Sequence, residues 1–191
     1  MLKFLQRIPF QNPTGLKTLL TFILAVSSLM FMAFIITPAF QEATSGLSPF
    51  DLNFDINAEQ IYQDLPFYTD QSRRLYLGFA IVDYIYPALV AIFFSMFWAW
   101  IFSKAPNKFF DKLISFGILL FPFLYMLVDW AENTGFLLLI YYYPEEFRGI
   151  ADVASVLKSF KPKVMNFLFV LTLIFITLGL YKYLKDFRAT N

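Results

Sequence analysis

Along this chain, hydrophobic and polar positions separate into four long apolar runs joined by short polar segments. Between Lys17 and Gln41 the run TLLTFILAVSSLMFMAFIITPAF carries no charge. A second run, Leu75 to Phe102, holds one charge, Asp83; a third, Leu113 to Tyr143, holds Asp129 and Glu132; a fourth, Val164 to Leu180, holds none. At a rise of about 1.5 Å per residue, a run of about 20 residues matches a hydrocarbon core of about 30 Å. The pattern predicts an all-α fold, an integral membrane four-helix up-down-up-down bundle in one domain over residues 1–191. Its spans are expected over about 18–39, 75–102, 113–141 and 164–184, with outer loops over about 40–74 and 142–163. The first run exceeds the apolar stretch of about 7–15 residues of a cleaved signal peptide, so it reads as an uncleaved anchor.

The outer loops carry helix signals of their own. In NAEQIYQDL, Asn57 is a cap candidate with Gln60 three residues on, which predicts a short helix ended by Pro66. Thr69 is the cap candidate for span two. In the second outer loop Ile150, Val153, Ala154, Leu157 and Phe160 fall on one helical face with Lys158 and Asp152 elsewhere, as in a helix lying in the interface or packed on the first outer loop.

Composition agrees with a lipid solvent: 59% of residues are hydrophobic and 15% charged, against about a quarter charged in soluble domains. Basic residues set the direction of the spans. The segments before span one, between spans two and three, and after span four carry nine Lys or Arg and two acids; the opposite side carries six and nine. The positive-inside rule therefore puts both termini in the cytoplasm, with a bacterial inner (plasma) membrane as the expected location. The net charge of +1 and the scatter of basic residues exclude a nucleic-acid partner. With no Cys and no His, thiol chemistry, Cys/His zinc sites, iron–sulfur clusters and Ser-His triads are also excluded. No cofactor is expected.

The candidate chemistry is an intramembrane acidic layer. Asp83, Pro87, Ala91, Ser95 and Ala99 recur every four residues and form a seam of small or polar groups that should face protein. Pro87 removes the helical donor to the carbonyl of Asp83, leaving the backbone open unless something else satisfies it. Asp129, Glu132 and Asn133 share one face of span three, with Gly117, Phe121 and Tyr125 continuing the row. Counting rise from the outer ends puts Ser27, Ser28 and Thr172 level with these acids. No Lys, Arg or His is expected within the spans at their depth to neutralise them. They are thus expected to be protonated, sharing hydrogen bonds with Asn133, Tyr84 or Tyr125, or to hold a cation, or to be reached by Arg73 and Arg74 from the outer mouth. The two arginines themselves are expected to meet lipid phosphate or Asp64 and Asp70.

The stretch LPFYTDQSRRLYLGFAIVDYIYP together with DWAEN resembles an uncharacterised group of small four-helix bacterial membrane proteins, matched at Arg74, Tyr76, Asp83, Tyr86, Pro87, Asp129, Glu132 and Asn133. The resemblance covers mainly spans two and three and implies no activity.

The candidate ligand- or ion-binding residues are Asp83, Asp129, Glu132, Asn133, Tyr84, Tyr125, Ser28 and Thr172, with Arg73, Arg74 and Tyr76 at the outer mouth. Besides the bilayer, the expected partners are a small cation, a proton or a lipid head group. A structural subunit assembled with other membrane proteins, and a carboxylate-dependent membrane enzyme acting near the outer leaflet, stand as alternatives. No nucleophile motif accompanies the acids, and no metal set is assigned.

Overall fold

The computed structural model describes residues 14–53 and 56–190. These residues are helical throughout, with no strand among them. Helix α1 (Gly15–Phe31) is capped by Thr14, whose hydroxyl accepts from the Lys17 amide. It widens into a π turn (Met32–Ile36) before α2 (Thr37–Ala43). Pro38 explains the widening, since its ring would crowd the carbonyl four residues back in a regular α-helix. A 3₁₀ turn (Phe50–Leu52) and α3 (Ala58–Asp64) follow, and Asn57 caps α3 through the Gln60 amide at 2.9 Å as its spacing predicts. After a 3₁₀ turn holding Pro66, Thr69 caps the long α4 (Asp70–Lys104) through the Ser72 amide at 3.2 Å.

Span three is more broken than its hydropathy suggests. A short amphipathic α5 (Lys108–Ser115), capped by Asn107, stops at Gly117, whose φ of 87° is a left-handed value that glycine adopts without strain. A 3₁₀ turn (Ile118–Leu120) leads into α6 (Pro122–Tyr142). Gly117 and Phe121 therefore precede the helix that carries Asp129, and of the expected row only Tyr125 lies in it.

The largest departure from expectation lies in the last element. No interfacial helix separate from span four exists: α7 runs from Arg148 to Thr190, 43 residues, through Pro162. Its apolar face is also not the one expected, for Val153 and Phe160 are exposed. The buried stripe is instead Ala151, Ala154, Lys158, Val164, Leu168, Thr172 and Phe175, with half-buried Lys161 between the third and fourth, a three-four spacing that continues across the predicted boundary.

Four helical stretches are long and apolar enough to cross a membrane: Gly15–Ala43, Asp70–Lys104, Ile118–Tyr142 and Arg148–Ala189. Helix α4 is central and packs against α1, α6 and α7, while α6 also packs against α7. The α6–α7 approach is close because Gly135 faces Ala154, where an added Cβ would meet the alanine methyl at 3.0 Å. At the other end Gly179 lets Ile101 come equally near.

A small cluster of Met32, Ile36 and Phe79 and two large apolar cores result. One, around Phe94, Trp98, Phe102, Phe110, Leu168 and Phe175, fills the half nearer Lys104. The other, around Phe40, Phe50, Ile61, Tyr68, Tyr76 and Phe136, fills the half nearer Asp70. The seam predicted on span two is buried at all five positions, Asp83 to Ala99. The backbone opened by Pro87 is closed from outside the helix, because the Asn133 side-chain amide donates to the Asp83 carbonyl at 3.4 Å.

That substitution of donors is testable. Asn133→Leu should lower unfolding stability in detergent by about 1–3 kcal/mol. Adding Pro87→Ala, which returns a backbone N–H to the Asp83 carbonyl, should recover part of the loss; strictly additive effects in the double variant would show that the two groups do not share this carbonyl.

Candidate functional site

Between the two cores lies a buried charged layer. Asp83 is 3% exposed, Asp129 1%, Glu132 0% and Asn133 4%, so the four residues that spacing placed inside do converge. The Asn133 amide donates to Asp129 Oδ2 at 3.0 Å as well as to the Asp83 carbonyl, and so ties α6 to α4.

The acids are not without cationic partners, which overturns the expectation drawn from the spans. Lys161 Nζ lies 2.7 Å from Asp51 Oδ1, 2.9 Å from Asp129 Oδ1 and 3.0 Å from Glu132 Oε2. Lys158 Nζ lies 3.7 Å from the same Asp51 oxygen and 3.6 Å from Glu132 Oε1. Both lysines reach the layer because α7 is continuous, so residues assigned to an outer loop stand on its inner stripe. Their signal was in the sequence, in the three-four spacing from Ala151 through Lys158 to Leu168. A boundary placed at the Lys161-Pro162-Lys163 triplet hid it.

Asp51 had no periodic signal at all. It enters because Phe50 beside it is fully buried and stacks on Tyr68 at 5.1 Å, which pins the 3₁₀ turn over the bundle. Burial works to raise its carboxyl, but the ammonium groups of Lys161 and Lys158 outweigh that and hold it well below the usual carboxylate range.

Other candidates are placed differently. Tyr84 turns outward, its hydroxyl 2.6 Å from Thr134 Oγ1 and its carbonyl accepting from the Trp130 indole, so it shares no bond with the acids. The Ser28 hydroxyl donates to the Leu24 carbonyl of its own helix. Thr172 accepts from the Trp98 indole at 2.8 Å, eleven residues and about 16 Å of rise beyond Lys161. Its expected depth was counted from Val164, whereas the helix begins at Arg148. Arg73 makes no ion pair with Asp64 or Asp70 among the described residues; it donates to the carbonyls of Ile140 and Tyr68 and lies over the Tyr143 ring. Arg74 is exposed, and Tyr76 sits in the aromatic core rather than at a mouth.

A cavity of about 200 Å³ borders the layer. Asp51, Asp83, Asp129, Lys158, Lys161, Tyr86 and Tyr125 form its polar wall, and Leu29, Met32, Ala33, Leu52 and Phe79 its apolar wall. Tyr125 thus joins the site as expected. The π turn lies at this point, since Met32 and Ala33 belong to it. Comparison of the chain with protein-family models, curated proteins and solved structures returns no match. The arrangement must therefore be interpreted from its own geometry.

Three oxygens in the layer, Asp83 Oδ2 and both of Glu132, have no hydrogen-bond partner among the described residues. No ammonium lies within ion-pair distance of Asp83, again among the described residues. No group of three or more acids there is arranged to hold a metal ion. What the layer offers chemically is carboxyl oxygens in excess over the ammonium groups that face them.

Asp51 generates a pH prediction. A carboxyl lowered by folding contributes stability that is complete above its unfolded value, about 4, and is lost as pH falls below it. Between about pH 5 and 3 the wild type should therefore lose more unfolding stability than Asp51→Asn. Parallel losses in the two proteins, followed by thermal denaturation, would remove Asp51 from this role.

Proposed function

We propose that this chain is a four-span integral membrane protein, both termini cytoplasmic, whose lysine–carboxylate layer binds protons in the outer half of the bilayer. The observation that carries the reading is the charge count among the described residues: four buried carboxyls, Asp51, Asp83, Asp129 and Glu132, face two ammonium groups, Lys158 and Lys161. Fully ionised, the layer would hold two uncompensated charges at a depth where even one is costly, about 2.5–3.5 kcal/mol on insertion scales. Two protons restore neutrality. Asp83 has first claim on one of them, since no ammonium is within reach of it.

Membrane insertion is supported by the surface. Large apolar side chains stand exposed along the long helices, among them Leu19 at 52%, Ile81 at 57%, Leu127 at 56% and Leu173 at 64%. A belt of this kind suits lipid and not water. An up-down order of the four helices is supported by the short connections over 105–107 and 143–147. Orientation rests on the basic residues, and the layer strengthens it. Lys158 and Lys161, which blurred the contrast, are engaged with acids, so the outer side retains four other Lys or Arg against nine on the inner side. The layer lies nearer the Asp70 end of α4 than the Lys104 end, which with the proposed orientation supports a position in the outer half.

Protons suit the layer better than a metal cation, because the Lys161 ammonium already occupies the point where three carboxyls converge.

Two measurements test this. Infrared spectroscopy of the reconstituted protein should show a neutral carboxyl band at pH 7 that falls on alkaline titration and shrinks in Asp83→Asn and in Glu132→Gln. A wild type with no such band would sink the proton reading. The chain has no cysteine, so single variants report topology directly. Asp152→Cys should react with an impermeant maleimide in intact cells, and Lys108→Cys only after permeabilisation; the reverse pattern would invert the orientation.

A further inference from the structure

The cavity beside the charged layer has two walls of opposite character, and protons alone account for only one of them. We propose that it is a binding site for an amphiphilic amine, whose ammonium pairs with Asp83 while its apolar chain lies against the π turn of the first helix. The inference rests on the reading of the layer as one with surplus negative charge.

Asp83 is 3% exposed, lines the cavity, and keeps Oδ2 without a hydrogen-bond partner. A buried acceptor left open in this way calls for a donor, and the excess of carboxyls over lysines calls for a positive one. Asp51 and Asp129 line the same wall with Lys158 and Lys161, so an ammonium at Asp83 would sit in the field of three carboxyls and two ammonium groups, a balance that still favours a cation. The opposite wall offers no polar group. It consists of Leu29, Met32 and Ala33 from α1 and the π turn, with Phe79 from α4.

Size and access fit the same ligand. A volume of about 200 Å³ exceeds the engineered cavity of about 150 Å³ that accommodates benzene, so it takes a head group and several carbons. Leu29 and Ala33 are exposed and form the rim, so entry is sideways past the first helix, where the remainder of a longer chain would extend into lipid. The π turn fits that role: its wider backbone moves the Met32 and Ala33 positions away from a regular helical path, and π turns concentrate at functional sites. An ammonium arriving at a neutral Asp83 must release the proton held there, so binding exchanges one positive charge for another and leaves the layer neutral.

The test uses the full chain in phosphatidylcholine nanodiscs, titrated calorimetrically with n-hexylamine hydrochloride at neutral pH after subtraction of empty discs. Saturable binding is expected, weakened about tenfold or more in Asp83→Asn. Ala33→Trp should weaken it comparably by blocking the rim from an exposed position with every charge left in place, so it keeps the test decisive if Asp83→Asn folds poorly. The uncharged n-hexanol should not bind saturably. No saturable amine binding to the wild type, equal binding in both variants, or hexanol binding as well as the amine would each overturn the proposal. Repeating the titration in phosphatidylethanolamine discs separates the sources of the ammonium. Weaker hexylamine binding there identifies a lipid head group as the competing occupant, and unchanged binding identifies a free amine.

The proton reading is scored apart. Ala33→Trp should keep the titrating carboxyl band while losing the amine. Amine binding that follows the variants with no titrating band would leave this site standing and the proton reading refuted.

Discussion

The ammonium of Lys161, held between Asp51, Asp129 and Glu132, is the contact on which the arrangement of this protein depends. It draws together α6, α7 and the turn that precedes α3, elements that the longer Lys158 pairs and apolar packing also join. Burying such groups is unfavourable unless each finds its complement, and removing one partner of a buried pair typically costs about 3–5 kcal/mol. The same energetics explain why the layer is flanked by two apolar cores and not dispersed through one. Charges in a low-dielectric interior gain from concentration, since each additional opposite charge is shared among several neighbours.

Local irregularities gather around this layer. Pro87 opens the backbone of α4 one turn beyond Asp83, and Asn133 closes it; the π turn of the first helix borders the cavity; Pro162 follows Lys161 directly. Elsewhere the helices obey their local signals, with Thr14, Asn57, Thr69 and Asn107 each capping through a side-chain oxygen. The departures cluster at the layer without being confined to it, since Gly117 also interrupts the third stretch.

Much of the layer was legible from spacing. A period of four along α4 put Asp83 through Ala99 on a buried seam, and Asp129, Glu132 and Asn133 on one face of α6 could only point together. Two kinds of error limited the rest. Hydropathy locates the apolar part of a helix but not its ends, so α7 was cut at Pro162, its lysines were assigned to solvent, and Thr172 was given the wrong depth. Polar side chains were then treated as candidates because they were level with the acids. Tyr84 and Ser28 show that height alone does not set direction, since one turns to Thr134 and the other to its own helix.

By itself, then, the sequence determined four apolar helical stretches, the caps Asn57 and Thr69, and the faces on which three carboxylates and an amide lie. These follow from rules acting within about one turn of helix or along one continuous run, and such rules are contained in the order of residues. Only the tertiary structure decided what neutralises the acids. Asp51 and Lys161 are separated by 110 positions, and no local pattern relates them. They meet because Phe50 anchors a turn in one core while a stripe of small residues seats α7 against α6. That coincidence of two independent packings converts an acidic row into a partly compensated layer beside a cavity.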